Sequence, residues 1–326
     1  MVQVADDRTR RGWSPQTEDV LRRAGWRPGR SVPTSTWEAV LSERGAFVAH
    51  DAARRLLAEF GGLVTYGWPA DSISTSSAVR FDPLAAAWQD ERFARASREA
   101  GAPLYPVGTA DEGAGFLGIT EEGALHLLRD RAEPLATTID QALDRLVTLQ
   151  GAQAALWTPD VPADPSPFWR RFDMAEAGED AGLRWSAETD RVLRAGGWRP
   201  GRAIPTDTWE SALTQSGEYE IHEAARRFLA EFGAVGVPYR DSLDATSWME
   251  FRLDPLPAFW DAEIIEDLAE QAGVDSLYPV GMRDRGNQYL AMAADGAVYA
   301  GMDSVWLLAP TPDEAVQRLT RRLGDH

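Results

Sequence analysis

The sequence predicts an α+β fold written twice: two tandem domains, each a largely antiparallel sheet packed with helices. Three observations carry this. GWRPGR at 25 to 30 recurs at 197 to 202, followed in both places by PTSTWE or PTDTWE and then by AARRLLAEFG or AARRFLAEFG. Trp13, Trp37, Asp82 and Trp88 match Trp185, Trp209, Asp254 and Trp260 at a constant offset of 172, and one inserted residue then moves LYPVG at 104–108 onto LYPVG at 277–281. Within each copy the apolar period changes from that of a helix to that of a strand. An offset kept across irregular segments means that loops have held their lengths along with the core, which marks two whole globular units rather than a solenoid. The expected boundaries are 13–149 for the first domain, 150–184 for a Pro/Ala/Asp-rich linker and 185–323 for the second domain.

Each copy opens on an N-cap serine, Ser14 before PQTEDVLRRA and Ser186 before AETDRVLRA, and this helix stops at Gly25 or at Gly196 and Gly197. A second helix is expected from a capping box, Ser35 with Glu38 or Asp207 with Glu210, and ends at Gly45 or Gly217. The third has the clearest stripe: Ala53, Leu56, Leu57 and Phe60, and likewise Ala225, Phe228, Leu229 and Phe232, fall at i, i+3, i+4 and i+7. After Gly61 or Gly233 come strand-like runs near 63–66 and 78–81, and near 235–239 and 247–253. Asp82-Pro83 and Asp254-Pro255 read as an N-cap and N1 proline opening one long helix that ends at Gly101 or Gly273. LYPV is a strand, FLGIT-EEG-ALHLL and QYLAMAADGAVYAG are hairpins with a turn glycine, and a capped helix from Thr138 or Thr311 closes the copy.

Composition narrows the function. With 44% hydrophobic and 26% charged residues, and no long apolar run, the chain reads as globular, and MVQVADDRTRRGW lacks the apolar core of a secretion signal, so a cytoplasmic location is expected. Zero cysteines exclude disulfides, thiol nucleophiles and thiolate metal sites. The net charge of −18 is divided unequally: 17 Arg face 22 acids up to residue 162, a net of −5, and 16 Arg face 29 acids beyond it, a net of −13. Such a chain is repelled by nucleic acid and by anionic membrane and is drawn to basic partners.

Catalytic signatures are wanting. Gly113, Gly115 and Gly118 spell GxGxxG, but a hairpin follows where a phosphate-binding helix would have to start, and no cofactor is expected. His50 and His222 occupy equivalent positions just before the third helix, where a capping or packing role explains them better than general-base chemistry. Arg30 and Arg202, after PG, are expected to fix the turn by bonding carbonyls or a carboxylate. Eight of the 13 tryptophans form four pairs at the repeat offset, as core residues would; Trp68, Trp157, Trp169, Trp248 and Trp306 are unpaired and are better candidates for exposed contacts. The sharpest contrast is electrostatic. Glu263, Glu266, Asp267 and Glu270 share one helix face, with Trp260, Ile264 and Leu268 expected to turn elsewhere, whereas the first copy has Glu91, Ala94, Arg95 and Arg98 on the matching face. These four acids, together with Trp68 and Trp248, are the candidate partner-binding residues; the competing reading pairs the acids with Arg95 and Arg98 inside the chain.

The succession of GW-x-PGR, the TWE helix, the AARxFLxEFGG helix and LYPVG resembles the SUKH superfamily, specifically its third family of bacterial immunity proteins, over 13–149 and again over 185–323. The resemblance implies an α+β fold and a non-catalytic protein that neutralises a toxin of a polymorphic toxin system, often a nuclease, by binding it. Together with the charge, it makes a basic toxin domain the expected partner, with neither nucleic acid nor membrane bound. A regulatory or scaffold role like that of the eukaryotic relatives, or a hydrolase with an unrecognised site, are the alternatives. The chain departs from the pattern in having Ala234 where the first copy has Gly62, and in carrying two domains.

Overall fold

A computed structural model describes residues 12–44, 47–65, 79–110, 115–150, 167–216, 219–238, 249–284 and 286–321. Among the described residues each copy forms a six-stranded antiparallel meander whose spatial order is its chain order. The first sheet comprises β1 (Val64–Thr65), β2 (Val79–Arg80), β3 (Tyr105–Ala110), β4 (Gly115–Ile119), β5 (Leu125–Leu128) and β6 (Ala132–Ala136). The second comprises β7 (Gly236–Pro238), β8 (Met249–Arg252), β9 (Tyr278–Arg283), β10 (Gln288–Met292), β11 (Val298–Gly301) and β12 (Val305–Ala309). The helices are α1 (Pro15–Arg23), α2 (Ser35–Glu43), α3 (Asp51–Phe60), α4 (Asp90–Ala100), α5 (Ile139–Gln150), α6 (Pro167–Met174), α7 (Ala187–Ala195), α8 (Asp207–Ser216), α9 (Glu223–Phe232), α10 (Ala262–Ala272) and α11 (Pro312–Thr320). The α+β class and the doubled architecture are therefore as the sequence predicts.

The repeated motif closes a helix. In the first copy Arg30 N donates to Arg27 O at 3.0 Å across Pro28-Gly29, with Gly29 at φ +80, a turn that places proline and then a left-handed glycine at its centre. This aims the Arg30 guanidinium at the end of α3, where it donates to Glu59 O (2.7 Å) and Gly61 O (2.8 Å), carbonyls that a helix end leaves without partners. Trp26 Nε1 donates to the Glu59 carboxylate at 3.0 Å, and the Trp26 ring meets Trp13 edge-on at 5.3 Å. The second copy repeats this with Arg202 on Glu231 O (2.8 Å) and Trp198 on the Glu231 carboxylate (3.2 Å). Both arginines fix their turns as expected. Burial pushes the Arg30 pKa down to about 10, against the pull of Glu59.

The glycine of LYPVG answers to a different constraint. A Cβ on Gly108 would overlap the Arg80 carbonyl of the preceding strand, and one on Gly281 would overlap that of Arg252; both glycines also stand at a register shift in the pairing with the following strand, β4 or β10. Gly233 is likewise filled from outside, the Trp209 ring occupying the place of a Cβ.

The chain divides into two compact units whose borders do not follow the repeat. One holds Met1–Arg30, His50–Asp82 and Glu91–Pro159; the other holds Ser31–Ala49, Pro83–Asp90 and Asp160–His326. α2, from the first copy, thus lies in the same unit as α8. There Thr36 N donates to Thr208 Oγ1 (3.1 Å), Thr208 N donates to Thr36 Oγ1 (3.3 Å), and Ser35 Oγ donates to the Asp207 carboxylate (2.6 Å). Two helix starts with orphan N–H groups satisfy each other. The expected capping box is displaced by this exchange: the N-cap of α2 is Thr34, whose hydroxyl donates to Glu38, and in the second copy Thr206 donates to Glu210 in the same way (both 2.6 Å).

The long helix expected after Asp-Pro is broken in both copies. A 3₁₀ turn, Pro83–Ala86 or Leu256–Trp260, precedes the helix proper. Asp254 does not cap an α-helix; its carboxylate accepts the N–H of Leu256 at 3.0 Å, two residues on, which tightens the chain into the turn, and a new helix starts only after Asp261.

Two consequences are measurable. Gly281→Ala drives a methyl group into a neighbouring backbone and should lower stability by about 1–3 kcal/mol in denaturant unfolding, as overpacking does. The second concerns acid. Asp144 on α5 lies at the start of α1, where burial alone would raise its pKa, but the hydrogen bonds it accepts from Ser14 N (2.8 Å) and Thr17 Oγ1 hold it below the ordinary value. A lowered carboxyl pKa stabilises the fold above the unfolded-chain value and loses that contribution as pH falls through the folded one. Thermal melting should therefore drop below about pH 4, and Asp144→Asn should make that drop smaller.

Candidate partner-binding surface

Both paired histidines are occupied structurally. His50 Nδ1 accepts from Ala53 N (3.3 Å) at the start of α3 while Nε2 faces Ile119 O (3.2 Å); His222 Nδ1 accepts from Ala225 N (3.2 Å) while Nε2 faces Met292 O (2.9 Å). One neutral tautomer, protonated at Nε2, satisfies both contacts, so each ring caps a helix and ties it to the hairpin beside it. Gly115 and Gly118, part of the formal GxGxxG, lie inside β4; Gly113 falls outside the described residues.

Helix α10 carries the acidic stripe. Ala262, Ile265, Leu268 and Ala269 are buried, with Leu268 against Gly301 at the start of the β11–β12 turn. Glu263, Glu266, Asp267 and Glu270 are all exposed, and among the described residues none of the four enters an ion pair. On α4, the matching Glu91, Ala94, Arg95 and Arg98 are exposed too, so the same face carries arginine in place of an acid at two of the four positions, Arg95 for Asp267 and Arg98 for Glu270. The apolar side differs from expectation in detail: Ile264 is half-buried and Ile265 takes the inner position. Trp68 and Trp248 lie outside the described residues, as does Trp157.

One tryptophan pair breaks the rule that paired positions are core. Trp88 is buried, whereas Trp260 is 48% exposed at the end of the 3₁₀ turn before α10. The difference comes from what covers the ring. In the second compact unit the Arg44 guanidinium lies 3.7 Å from the Trp88 ring centroid and that of Arg171, on α6, lies 5.1 Å away, with Arg171 also paired to Asp90 at 3.3 Å. Arg44 further donates to Gly196 O (3.1 Å) and Ala234 O (3.0 Å). Burial and then the charges of Arg202 and Arg171 push its pKa down to about 9. Ser216 stands at the position equivalent to Arg44, so that position offers Trp260 no guanidinium.

Sequence reasoning missed β6 and β12, the outer strands next to the closing helices. Both show the same exposure pattern, with the second and third residues exposed: Glu133 and Pro134 in β6, Trp306 (40%) and Leu307 (48%) in β12. AEPLA and VWLLA lack a clean alternation, and the one usable signal was that Trp306 has no aromatic counterpart in the first copy.

Among the described residues no helix is long and apolar enough to cross a membrane. A family model described as SUKH-3 immunity protein matches residues 13–149 and again 185–322. No curated protein and no solved structure matches the chain.

The capping geometry makes a direct prediction. His50→Ala and His222→Ala should each lower stability by about 1 kcal/mol, the usual loss for an N-cap, read as a shift in denaturant midpoint with unchanged slope.

Proposed function

We propose, for a chain that belongs to the SUKH-3 immunity protein family, that it acts without catalysis by binding and occluding a basic toxin domain in the cytoplasm. The observation that carries this reading is the exposed stripe of Glu263, Glu266, Asp267 and Glu270 on a family scaffold whose other copy lacks it. Like charges at i,i+3 and i,i+4 cost a helix a few tenths of a kcal/mol per pair, so the stripe contributes nothing to folding. Opposed to a cationic surface, the same four charges raise the rate of encounter and fix its orientation. The excess negative charge of the second half, −13 against −5, adds to that field.

The test is co-expression with any toxin domain found encoded beside this chain, together with a direct binding titration of the same domain. Glu266→Arg with Glu270→Arg should weaken binding by about tenfold or more at low salt and flatten its salt dependence, while the melting temperature stays unchanged. Unchanged affinity in a folded double variant would remove the stripe from the interface.

A further inference from the structure

We propose that the outer edge of β12 is where an extended, cation-bearing segment of the partner adds to the sheet; this rests on the immunity reading and locates its contact. β12 ends the second sheet, and the outer strand of a sheet turns every second N–H and C=O away from its neighbour. Two of its polar groups are closed by side chains: Val305 N donates to Gln271 Oε1 at 3.3 Å, and Leu308 O accepts from Arg318. Trp306 and Leu307 lie between these closures, and both side chains are exposed. Proteins commonly blunt such edges with charge or proline, and the first copy does so at the equivalent positions with Glu133 and Pro134. The second copy replaces that protection with a large aromatic and an aliphatic residue.

The charge beside this edge selects the occupant. Gln271, which holds the start of β12 through Val305 N and donates to Asp303 O at 3.5 Å, directly follows Glu270, the last acid of the stripe. A strand laid along Trp306 and Leu307 therefore runs past the acidic end of α10, and Lys or Arg on it meets those carboxylates. A second copy of this chain would bring another acidic helix to the same seam and is disfavoured by repulsion. Backbone pairing with side-chain anchoring is the usual mode of strand addition.

The test uses the full chain, a synthetic peptide alternating valine with lysine and arginine, and a control peptide with glutamate in place of each cation. Amide hydrogen exchange is followed at Leu307, two residues on from Val305, whose N–H turns outward to Gln271. The basic peptide should slow exchange there by about tenfold or more, and the acidic one should not. Trp306→Glu with Leu307→Pro installs the pair that the first copy already carries and serves the co-expression assay; because proline has no amide hydrogen, the exchange readout uses Trp306→Glu alone, which should abolish the effect. Equal protection by both peptides, or by neither, overturns the proposal. So does protection that rises with the concentration of the chain by itself, which would mean that a second copy occupies the edge. In the co-expression assay, a double variant that still neutralises the toxin overturns the edge interface and leaves the immunity reading intact. If the unaltered chain neutralises no toxin, that reading fails separately, and the peptide result decides the edge.

Discussion

A guanidinium group closing the C-terminal end of a helix is the interaction around which each copy is arranged. α3 and α9 end with carbonyls that the protein must satisfy, and Arg30 and Arg202 reach them only because a Pro-Gly turn with a left-handed glycine points them there. The glutamate near the helix end works twice, its carbonyl accepting the arginine and its carboxylate accepting an indole N–H from Trp26 or Trp198. The next residue but two must be left-handed, which Gly62 does without penalty at φ +82 and Ala234 does under strain at φ +62. A non-glycine residue there costs about 1–2 kcal/mol, and the Ala234 carbonyl accepts from Arg44, so the strained backbone stands at a contact that holds α2 in its unit. The most repeated words of the sequence, GWRPGR and AEFG, are thus the parts of one helix closure.

Duplication makes the differences between copies informative, because the shared fold removes packing as their explanation. Where residues pack, the copies agree: Trp13 and Trp185, Trp37 and Trp209, Phe60 and Phe232 are all buried. Where they face outward, the copies part, and they part in a consistent direction. The first copy has a covered Trp88, a Glu-Pro edge and cations on α4; the second has an open Trp260, a Trp-Leu edge and only acids on the stripe of α10. On the proposed reading, the second copy supplies the contacts and the first contributes α2 and the Pro83–Ala86 turn to the same compact unit.

Local chemistry was legible in the sequence wherever a residue acts on its own neighbours. Ser14 and Ser186 cap their helices, Thr138 and Thr311 cap theirs, and Gly123 and Gly296 turn the hairpins with φ near +94 and +95. What the sequence hid depends on residues far away in the chain. Ser35 looked like a cap until Thr36 and Thr208 exchanged N–H partners across 172 positions. Asp82-Pro83 looked like the start of a long helix because the helix signal is identical for the first two residues of a 3₁₀ turn. β6 and β12 were missed because AEPLA and VWLLA pair on one side only, expose their second and third residues together and so show no alternation to read. The acid stripe was plain in the sequence; that its residues have no ion-pair partner among the described residues could be learned only from the structure.

Charge and apolar contact play separable parts in such a surface. Exposed carboxylates act across roughly a Debye length, about 8 Å at physiological salt, and therefore govern encounter more than residence. Affinity differences among related complexes lie mostly in dissociation, which depends on groups that lose water on contact. The second copy holds both kinds side by side, with Glu270 adjoining Gln271 and Gln271 adjoining the open edge at Trp306 and Leu307. An acidic surface alone would collect many basic proteins weakly, and an apolar edge alone would invite self-association. On the proposed reading, each suppresses the other's fault: the carboxylates repel another molecule of this chain from the edge, and the edge demands a strand of fitting shape from whatever the carboxylates attract.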